Sequence, residues 1–127
     1  MKLLLDTHAF IWWDGEPRKL SAAALSAIQD PTNQLLLSTA SIWEMMIKEQ
    51  AGKLSWNIPL EQKVAAHCAV GLEVLPIVER YAYGLLKLPM HHKDPFDRLL
   101  IATALSDGLS LITADSRITQ YQVPVIW

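Results

Sequence analysis

The chain has 127 residues, of which 51% are hydrophobic and 19% charged, and its formal net charge is −2 at pH 7. This length fits a single domain, residues 1–127, with enough apolar residues for a buried core. No apolar run approaches the roughly 20 residues of a membrane span, and Asp6 ends the first run too early for a signal peptide. We therefore expect a soluble, cytoplasmic protein with no membrane partner. The single cysteine, Cys68, excludes an internal disulfide framework.

Short apolar runs alternate with helical patterns along the chain. The predicted strands cover residues 2–5, 34–37, 73–76, 110–113 and 123–126. The predicted helices cover residues 7–13, 20–29, 41–50, 59–69, 78–86, 96–106 and 115–121. The helix from residue 41 is predicted because Ser41 and Glu44 match a capping box. This alternation predicts an α/β fold, a three-layer α/β/α sandwich around a mainly parallel sheet of about five strands.

Acidic residues follow the predicted strands. Asp6 ends the first strand, Asp115 closely follows the strand at 110–113, Glu44 comes after the strand at 34–37, and Asp97 opens the helix at 96–106. Ligands of open parallel sheets bind beyond the carboxyl ends of the strands, where these acids would gather. Crowded carboxylates repel each other unless a cation lies among them, and hard oxygen ligands suit Mg²⁺ or Mn²⁺. We therefore expect a divalent metal site that activates water against a phosphate ester.

Each acid also has a purely structural explanation. Asp6 and Asp115 could cap the helices that follow them, Glu44 could complete the capping box, and Asp97 lies in a first helical turn that favours negative charge. Taken singly, each acid is better explained as a cap than as a ligand. The recurrence of acids at elements that share one edge of a sheet favours the metal site.

Other polar residues near these acids are weaker candidates. Arg98 is the preferred phosphate contact because a guanidinium matches phosphate geometry. Lys48 is spaced to pair with Glu44 on one helix or could instead hold an anionic backbone. Substrate contact is also considered for Thr7 and Thr113, while Thr113 could equally orient carboxylates.

Histidines and tryptophans are less informative. His91 and His92 could form a zinc site with nearby acids, but no second pair at zinc spacing exists, so a solvated loop is expected. His8 could touch substrate or pack on a helix. Core packing is expected for most of the five tryptophans, with an interface as the alternative.

Four segments together resemble the PIN domain, and in particular the VapC-type toxin ribonucleases of toxin–antitoxin pairs. They are residues 5–8 (LDTH), 42–44 (IWE), 92–102 (HKDPFDRLLIA) and 111–115 (LITAD). The resemblance implies a PIN-like fold and a metal-dependent endoribonuclease that cuts single-stranded or loop RNA. It further implies a homodimer and a small antitoxin that blocks the crevice.

The resemblance also assigns roles to the acidic quartet. Asp6 and Asp97 would be the most direct Mg²⁺ or Mn²⁺ ligands, Glu44 would bind or orient a second ion or the attacking water, and Asp115 would be the fourth acid. Asp94 is an additional acid that could supplement or replace Asp97, and sequence spacing does not choose between them.

Two other functions are compatible with such a sheet. A metal-dependent phosphatase or DNA nuclease is disfavoured because the chain has no glycine-rich phosphate loop and carries His8 where an Asp-x-Asp motif would place its second acid. A catalytically silent module that binds RNA or protein is disfavoured because such a module has no reason to tolerate the repulsion among four carboxylates.

Overall fold

A single sheet of five parallel strands organises the chain, as seen in a computed structural model that describes residues 1–127. The strands, in the spatial order β3-β2-β1-β4-β5, are β1 Lys2–Leu5, β2 Gln34–Ser38, β3 Glu73–Leu75, β4 Ser110–Ile112 and β5 Val125–Ile126. The helices are α1 Thr7–Gly15, α2 Ala22–Gln29, α3 Thr39–Gln50, α4 Leu60–Ala69, α5 Glu79–Gly84 and α6 Pro95–Asp107. Short 3₁₀ turns cover Pro17–Lys19, Leu85–Lys87 and Ile118–Gln120. The predicted α/β class is confirmed, and the sheet is entirely parallel.

Both faces of the sheet are buried, which explains the continuous leucine runs. Successive side chains of a strand point to opposite faces. Accordingly, Leu3 and Leu5 of β1 enter one apolar cluster with Phe10 of α1, whereas Leu4 enters a second cluster with Leu100 of α6. The first cluster is covered by α1, α2 and α4, and the second is covered by α6. The predicted three-layer arrangement is therefore confirmed.

The strand order creates a switch point at the centre of the sheet. The chain runs from β1 through β2 to β3 on one side and then returns to place β4 on the other side of β1. At a switch point the connections leave neighbouring strands in opposite directions, which opens a crevice at their carboxyl ends. The residues that follow β1 and β4 line this crevice.

Side-chain caps begin the main helices. Asp6 accepts a hydrogen bond from the Ala9 backbone N–H at 2.7 Å, and Asp94 accepts one from the Asp97 N–H at 3.0 Å. Helix α6 ends at Gly108, whose φ of 66° lies in the left-handed region that glycine adopts without strain. No helix in the structure combines the length and apolar character needed to cross a membrane.

Two helix predictions are wrong in detail. The capping box at Ser41 does not form, because β2 extends to Ser38 and the Ser38 hydroxyl accepts from the Ala40 N–H, so α3 begins at Thr39. Glu44 therefore lies inside a helix. No helix covers 115–121 beyond the 3₁₀ turn, because the Asp115 carboxylate accepts from the Arg117 N–H two residues on and closes a turn.

Smaller differences lie at other element ends. The predicted helix 78–86 is divided into α5 and the following 3₁₀ turn, and β3, β4 and β5 are each shorter than predicted. Element ends are where local sequence signals are weakest, because fraying and capping compete there.

Candidate active site

A cleft of about 220 Å³ opens at the switch point. It lies between the ends of β1 and β4 and the first turn of α6. Its lining residues are Asp6, Thr7, His8, Trp12, Asp97, Ala114 and Asp115. Three of the four predicted acids therefore share one hollow, although they come from positions far apart in the sequence.

Asp6 occupies the buried end of the cleft. Its side chain caps α1, and the Thr113 side chain also hydrogen-bonds its carboxylate. Burial raises the pKa of Asp6 above its ordinary value, although these hydrogen bonds oppose the shift. The negative charge of Asp115 raises the pKa further. Burial and the neighbouring charge thus disfavour the ionised form of Asp6, and a bound cation would stabilise it.

Asp97 has a strongly perturbed carboxyl group. Burial raises its pKa to about 6, and a hydrogen bond with His92 opposes the shift. The charges of Asp94, Asp6 and Glu44 raise the pKa further. No lysine or arginine forms an ion pair with Asp97 or Asp6. The basic side chain nearest to Asp97 is His92, whose Nε2 lies 2.8 Å from Asp97 Oδ2.

Asp115 is held differently from the other two cleft acids. Burial acts to raise its pKa, but hydrogen bonds from Arg117 outweigh it and the pKa lies below the ordinary value. Arg117 donates from Nη2 to Asp115 Oδ2 at 3.1 Å and from Nε to Oδ1 at 3.2 Å. The Arg117 contacts thus favour the ionised form of Asp115, whose carboxylate oxygens lie at the cleft edge.

Glu44 adjoins the cleft through Thr7. The Thr7 hydroxyl donates to Glu44 Oε1 at 2.6 Å, and Lys48 pairs with Oε2 at 3.0 Å. Glu44 is 6% exposed, and its charge acts on Asp97. The charge of the fourth predicted acid therefore acts on an acid of the cleft, although Glu44 is not among the residues that line the cleft.

Asp94 and Asp97 are distinguished by position. Asp94 is the N-cap of α6 and does not line the cleft, whereas Asp97 lies in it. This arrangement favours Asp97 as the functional acid, with Asp94 as an additional negative charge beside it.

The residues predicted to touch substrate are engaged within the protein. Arg98 donates to the carbonyl oxygens of Pro89 and Leu85 and to the Tyr121 hydroxyl, so its guanidinium is hydrogen-bonded within the protein, and its contact with phosphate stays a prediction. Lys48 forms the intrahelical pair with Glu44. Thr7 is bonded to Glu44, and Thr113 joins Asp6 to the Asp115 N–H. Both threonines thus orient acids, and Thr7 alone of the four lines the cleft.

His92 is a site residue that the sequence offered only as a possible zinc ligand. It was expected on a solvated loop, but it is only 5% exposed, and its Nε2 also lies 3.8 Å from Asp115 Oδ2. Its neighbour His91 is exposed as expected. The available signal was the position of His92 five residues before Asp97, on the loop that enters α6.

The tryptophans divide between core and surface. Trp12, Trp13 and Trp56 pack against the apolar cluster of β1, whereas Trp43 and Trp127 are 57% and 37% exposed. Core packing thus accounts for most of them, as expected.

The donor set fits a hard divalent cation. One ligand atom from each of His92, Asp97 and Asp115 lies within 4.8 Å of the others, and Asp6 lines the same cleft. Carboxylate oxygens are the ligands that Mg²⁺ and Mn²⁺ prefer. Two of these carboxyl groups have raised pKa values because burial and mutual repulsion are incompletely compensated. A bound cation would supply the missing compensation.

Comparison with known proteins identifies the fold family. The family model of the PIN domain matches residues 3–124. Ribonuclease VapC22 of Mycobacterium tuberculosis is 32% identical over 126 residues, covering 96% of this chain and 93% of that protein. Among solved structures, VapBC2 from Rickettsia felis bound to a promoter DNA fragment superposes with a TM-score of 0.75 at 12% identity, covering 98% of this chain and 97% of that chain. VapBC-1 from nontypeable Haemophilus influenzae superposes with a TM-score of 0.64 at 22% identity, covering 98% and 96%. The chain belongs to the PIN-domain family.

Proposed function

We propose that the chain is a metal-dependent endoribonuclease and the toxin of a toxin–antitoxin pair. The observation that carries this proposal is the convergence of Asp6, Asp97 and Asp115 in one cleft with no lysine or arginine paired to the first two. The ribonuclease relative, which matches nearly the whole chain, supports RNA as the substrate.

The acids divide into ligands and a water-orienting group. Asp6, Asp97 and Asp115 would hold Mg²⁺ or Mn²⁺. Such an ion, when bound, lowers the pKa of water and stabilises charge on a phosphoryl group. Glu44, fixed by Thr7 and Lys48, would orient the attacking water. Thr113 hydrogen-bonds both the Asp6 carboxylate and the Asp115 backbone N–H, which fixes the two segments relative to each other.

Single-stranded RNA suits the surroundings of the cleft. Trp12 lines the cleft beside His8, with ring centroids 5.8 Å apart, and aromatic rings stack with unpaired bases. Arg117 is 62% exposed at the cleft edge, where its remaining guanidinium surface could meet a phosphate. These two residues are preferred to Arg98 as the proposed substrate contacts.

An antitoxin would find an apolar groove on the surface of the protein. A groove of about 450 Å³ lies between α3 and α4 and is lined by Ile42, Met46, Glu49, Pro59, Leu60, Glu61 and Val64. Its apolar floor and two glutamates match an amphipathic segment that carries basic residues. Toxin–antitoxin complexes among the similar solved structures support such a partner.

A second copy of the chain is proposed to cover another apolar surface. Tyr83 of α5 and Leu86, just after α5, are 66% and 93% exposed, and Leu105 of α6, which is 46% exposed, lines a shallow surface hollow together with Tyr83. Apolar patches of this kind mark interfaces. Sedimentation of the purified protein tests whether it forms the expected dimer.

The test of the proposed activity is cleavage of a labelled single-stranded RNA with Mg²⁺, with Mn²⁺ and with EDTA. Asp6→Asn keeps the cap but removes the charge, so cleavage should fall at least about 100-fold while the fold is retained. Asp30→Asn is the matched control, because Asp30 is exposed at the opposite edge of the sheet and should leave cleavage unchanged.

The same assay separates the alternatives. Single-stranded DNA and p-nitrophenyl phosphate are offered in parallel with the RNA. Preferential cleavage of either one would replace the ribonuclease assignment with a DNA nuclease or a phosphatase. No cleavage of any substrate, together with no metal binding by calorimetry, would indicate a silent binding module.

A further inference from the structure

The loop that enters α6 is fixed by a polar network outside the cleft. Arg98 Nη1 donates to the Pro89 carbonyl at 2.9 Å, and Nη2 donates to the Leu85 carbonyl at 3.1 Å. Arg98 Nη1 also lies 3.1 Å from the hydroxyl of Tyr121, a residue that is 5% exposed. A guanidinium committed to these partners holds the loop in place.

The Tyr121 hydroxyl is the centre of this network. It donates to the Pro89 carbonyl at 2.8 Å and accepts from Arg98 Nη1 and from the His92 backbone N–H, the latter at 3.0 Å. A phenol has one hydrogen and two acceptor positions, so these contacts use its full capacity. The backbone of His92 is therefore tied to a residue 29 positions further along the chain.

The ring of His92 carries this constraint into the cleft. Nε2 is 2.8 Å from Asp97 Oδ2 and 3.8 Å from Asp115 Oδ2. One buried ring thus contacts or approaches carboxylates from two elements, the first turn of α6 and the segment after β4. The other oxygen of Asp97 accepts no side-chain hydrogen bond and stays available to a ligand.

We propose that His92 is a positioning residue for the metal site, held in place by Arg98 and Tyr121. This proposal rests on the proposed metal-dependent function and adds a residue that orients its metal ligands. A hydrogen bond from a second group to a ligating carboxylate fixes the orientation of the ligand before the metal arrives, and losing such a partner typically weakens metal binding about 10- to 100-fold. The network thereby gives Arg98 a function in orientation.

The test measures Mn²⁺ and Mg²⁺ affinity by titration calorimetry on the full chain. His92→Ala should weaken Mn²⁺ binding about 10- to 100-fold, whereas His92→Gln, which keeps an N–H donor, should recover most of the loss. Met90→Ala is the matched control, because Met90 lies on the same loop with 69% of its surface exposed, and the Mn²⁺ affinity of this variant should equal that of the wild type.

Tyr121→Phe tests the outer part of the network and keeps the ring in place. It removes the hydroxyl that ties the loop but keeps the His92 ring, so we expect a smaller loss of Mn²⁺ affinity than in His92→Ala. The double variant with His92→Ala should be no weaker than His92→Ala alone, because both act through one path. Additive losses would overturn the proposed path.

Cleavage kinetics give an independent readout. The metal concentration for half-maximal RNA cleavage should rise in His92→Ala, while KM for RNA stays unchanged. Unchanged metal affinity in His92→Ala would overturn the proposal, and so would His92→Gln binding as weakly as His92→Ala, because His92 would then be a ligand itself. If His92→Ala fails to fold, His92→Gln and Tyr121→Phe decide. Metal binding without RNA cleavage by the wild type would refute the ribonuclease but leave the positioning test readable.

Discussion

The two ends of helix α6 carry one aspartate each, and their environments are opposite. Asp97, in the first turn, has a pKa raised to about 6, chiefly by burial. Asp107, the last residue, has a lowered pKa, chiefly because the Tyr81 hydroxyl donates to it and Arg80 adds charge-assisted hydrogen bonds. The helix dipole predicts the reverse, since it favours anions at the N-terminus.

The contrast shows that nearby partners outweigh the dipole. Asp107 joins α5 to α6 through Tyr81 and a bidentate contact with Arg80, so its charge is paired with a cation that the protein itself supplies. Asp97 meets three other acids and one histidine. Asp107 is paired with an arginine of the protein, whereas no lysine or arginine pairs with Asp97, which in the proposed function is left for a cation from solution.

The largest expected difference between Asp97 and Asp107 is the effect on RNA cleavage when each is replaced by asparagine. Asp97→Asn should reduce RNA cleavage at least about 100-fold, because it removes a proposed ligand. Asp107→Asn is matched in chemistry and lies on the same helix, yet cleavage should stay within about 2-fold. Initial rates with saturating Mg²⁺ measure both, and equal losses would erase the distinction.

Metal addition should stabilise the protein through one end of α6 only. At a Mg²⁺ concentration of about 100 times Kd, the free energy of unfolding should rise by about 2.7 kcal/mol. Asp107→Asn should retain this gain and Asp97→Asn should lose it. Thermal unfolding at pH 7.5 and pH 5 measures the effect, which should shrink at pH 5 because protons compete for Asp97.

The two aspartates should give stability opposite pH dependences in EDTA. The pKa of Asp97 is raised from 3.8 to about 6, so its contribution is complete below pH 3.8 and is lost as pH rises through about 6. The pKa of Asp107 is lowered from 3.8, so its contribution is present above that pH and is lost as pH falls.

Urea unfolding across this range measures the difference between wild type and each asparagine variant. The unfolding free energy of the wild type minus that of Asp97→Asn should decline by on the order of 1–2 kcal/mol from pH 4 to pH 7. The difference for Asp107→Asn should decline instead as the solution is acidified. Parallel curves would show that the environments do not differ.

The smallest expected effect concerns the structural end alone. Tyr81→Phe removes the hydroxyl that donates to Asp107, and Tyr81 is 2% exposed. The free energy of unfolding should fall by about 1 kcal/mol, with cleavage unchanged. A loss of cleavage would mean that the α5–α6 contact also supports the cleft.

Much of the fold follows from local signals. Leucine runs predict strands because a doubly covered parallel sheet buries both faces, and Asp94 and Gly108 bound α6 because their side-chain and backbone preferences are strong. The start of α3 was missed because Ser38 and Ser41 are both good caps, and the end of β2 decides between them.

The site was predictable only as far as strand ends allow. Asp6 and Asp115 could be grouped because parallel strands end at one edge, and Asp97 joins them because helices of such a fold begin at the same edge. The burial of His92 could not be foreseen, since it depends on contacts with Tyr121, 29 residues away. The internal use of Arg98 was hidden for the same reason, because its carbonyl partners belong to a loop without a sequence signature.

The paired leucines of the two central strands leave their alignment poorly specified. Leu4 lies opposite Leu36 and is flanked by leucines on both strands, so slippage by one position would still bury a leucine at almost every point. The polar residue that ends the run resists this slippage, because the Asp6 carboxylate caps the next helix by accepting from the Ala9 N–H, and a leucine cannot do so. Replacing Asp6 by leucine would therefore do more than remove a charge. It would lengthen the uniform leucine run, so that chains could pair in the wrong strand register and aggregate.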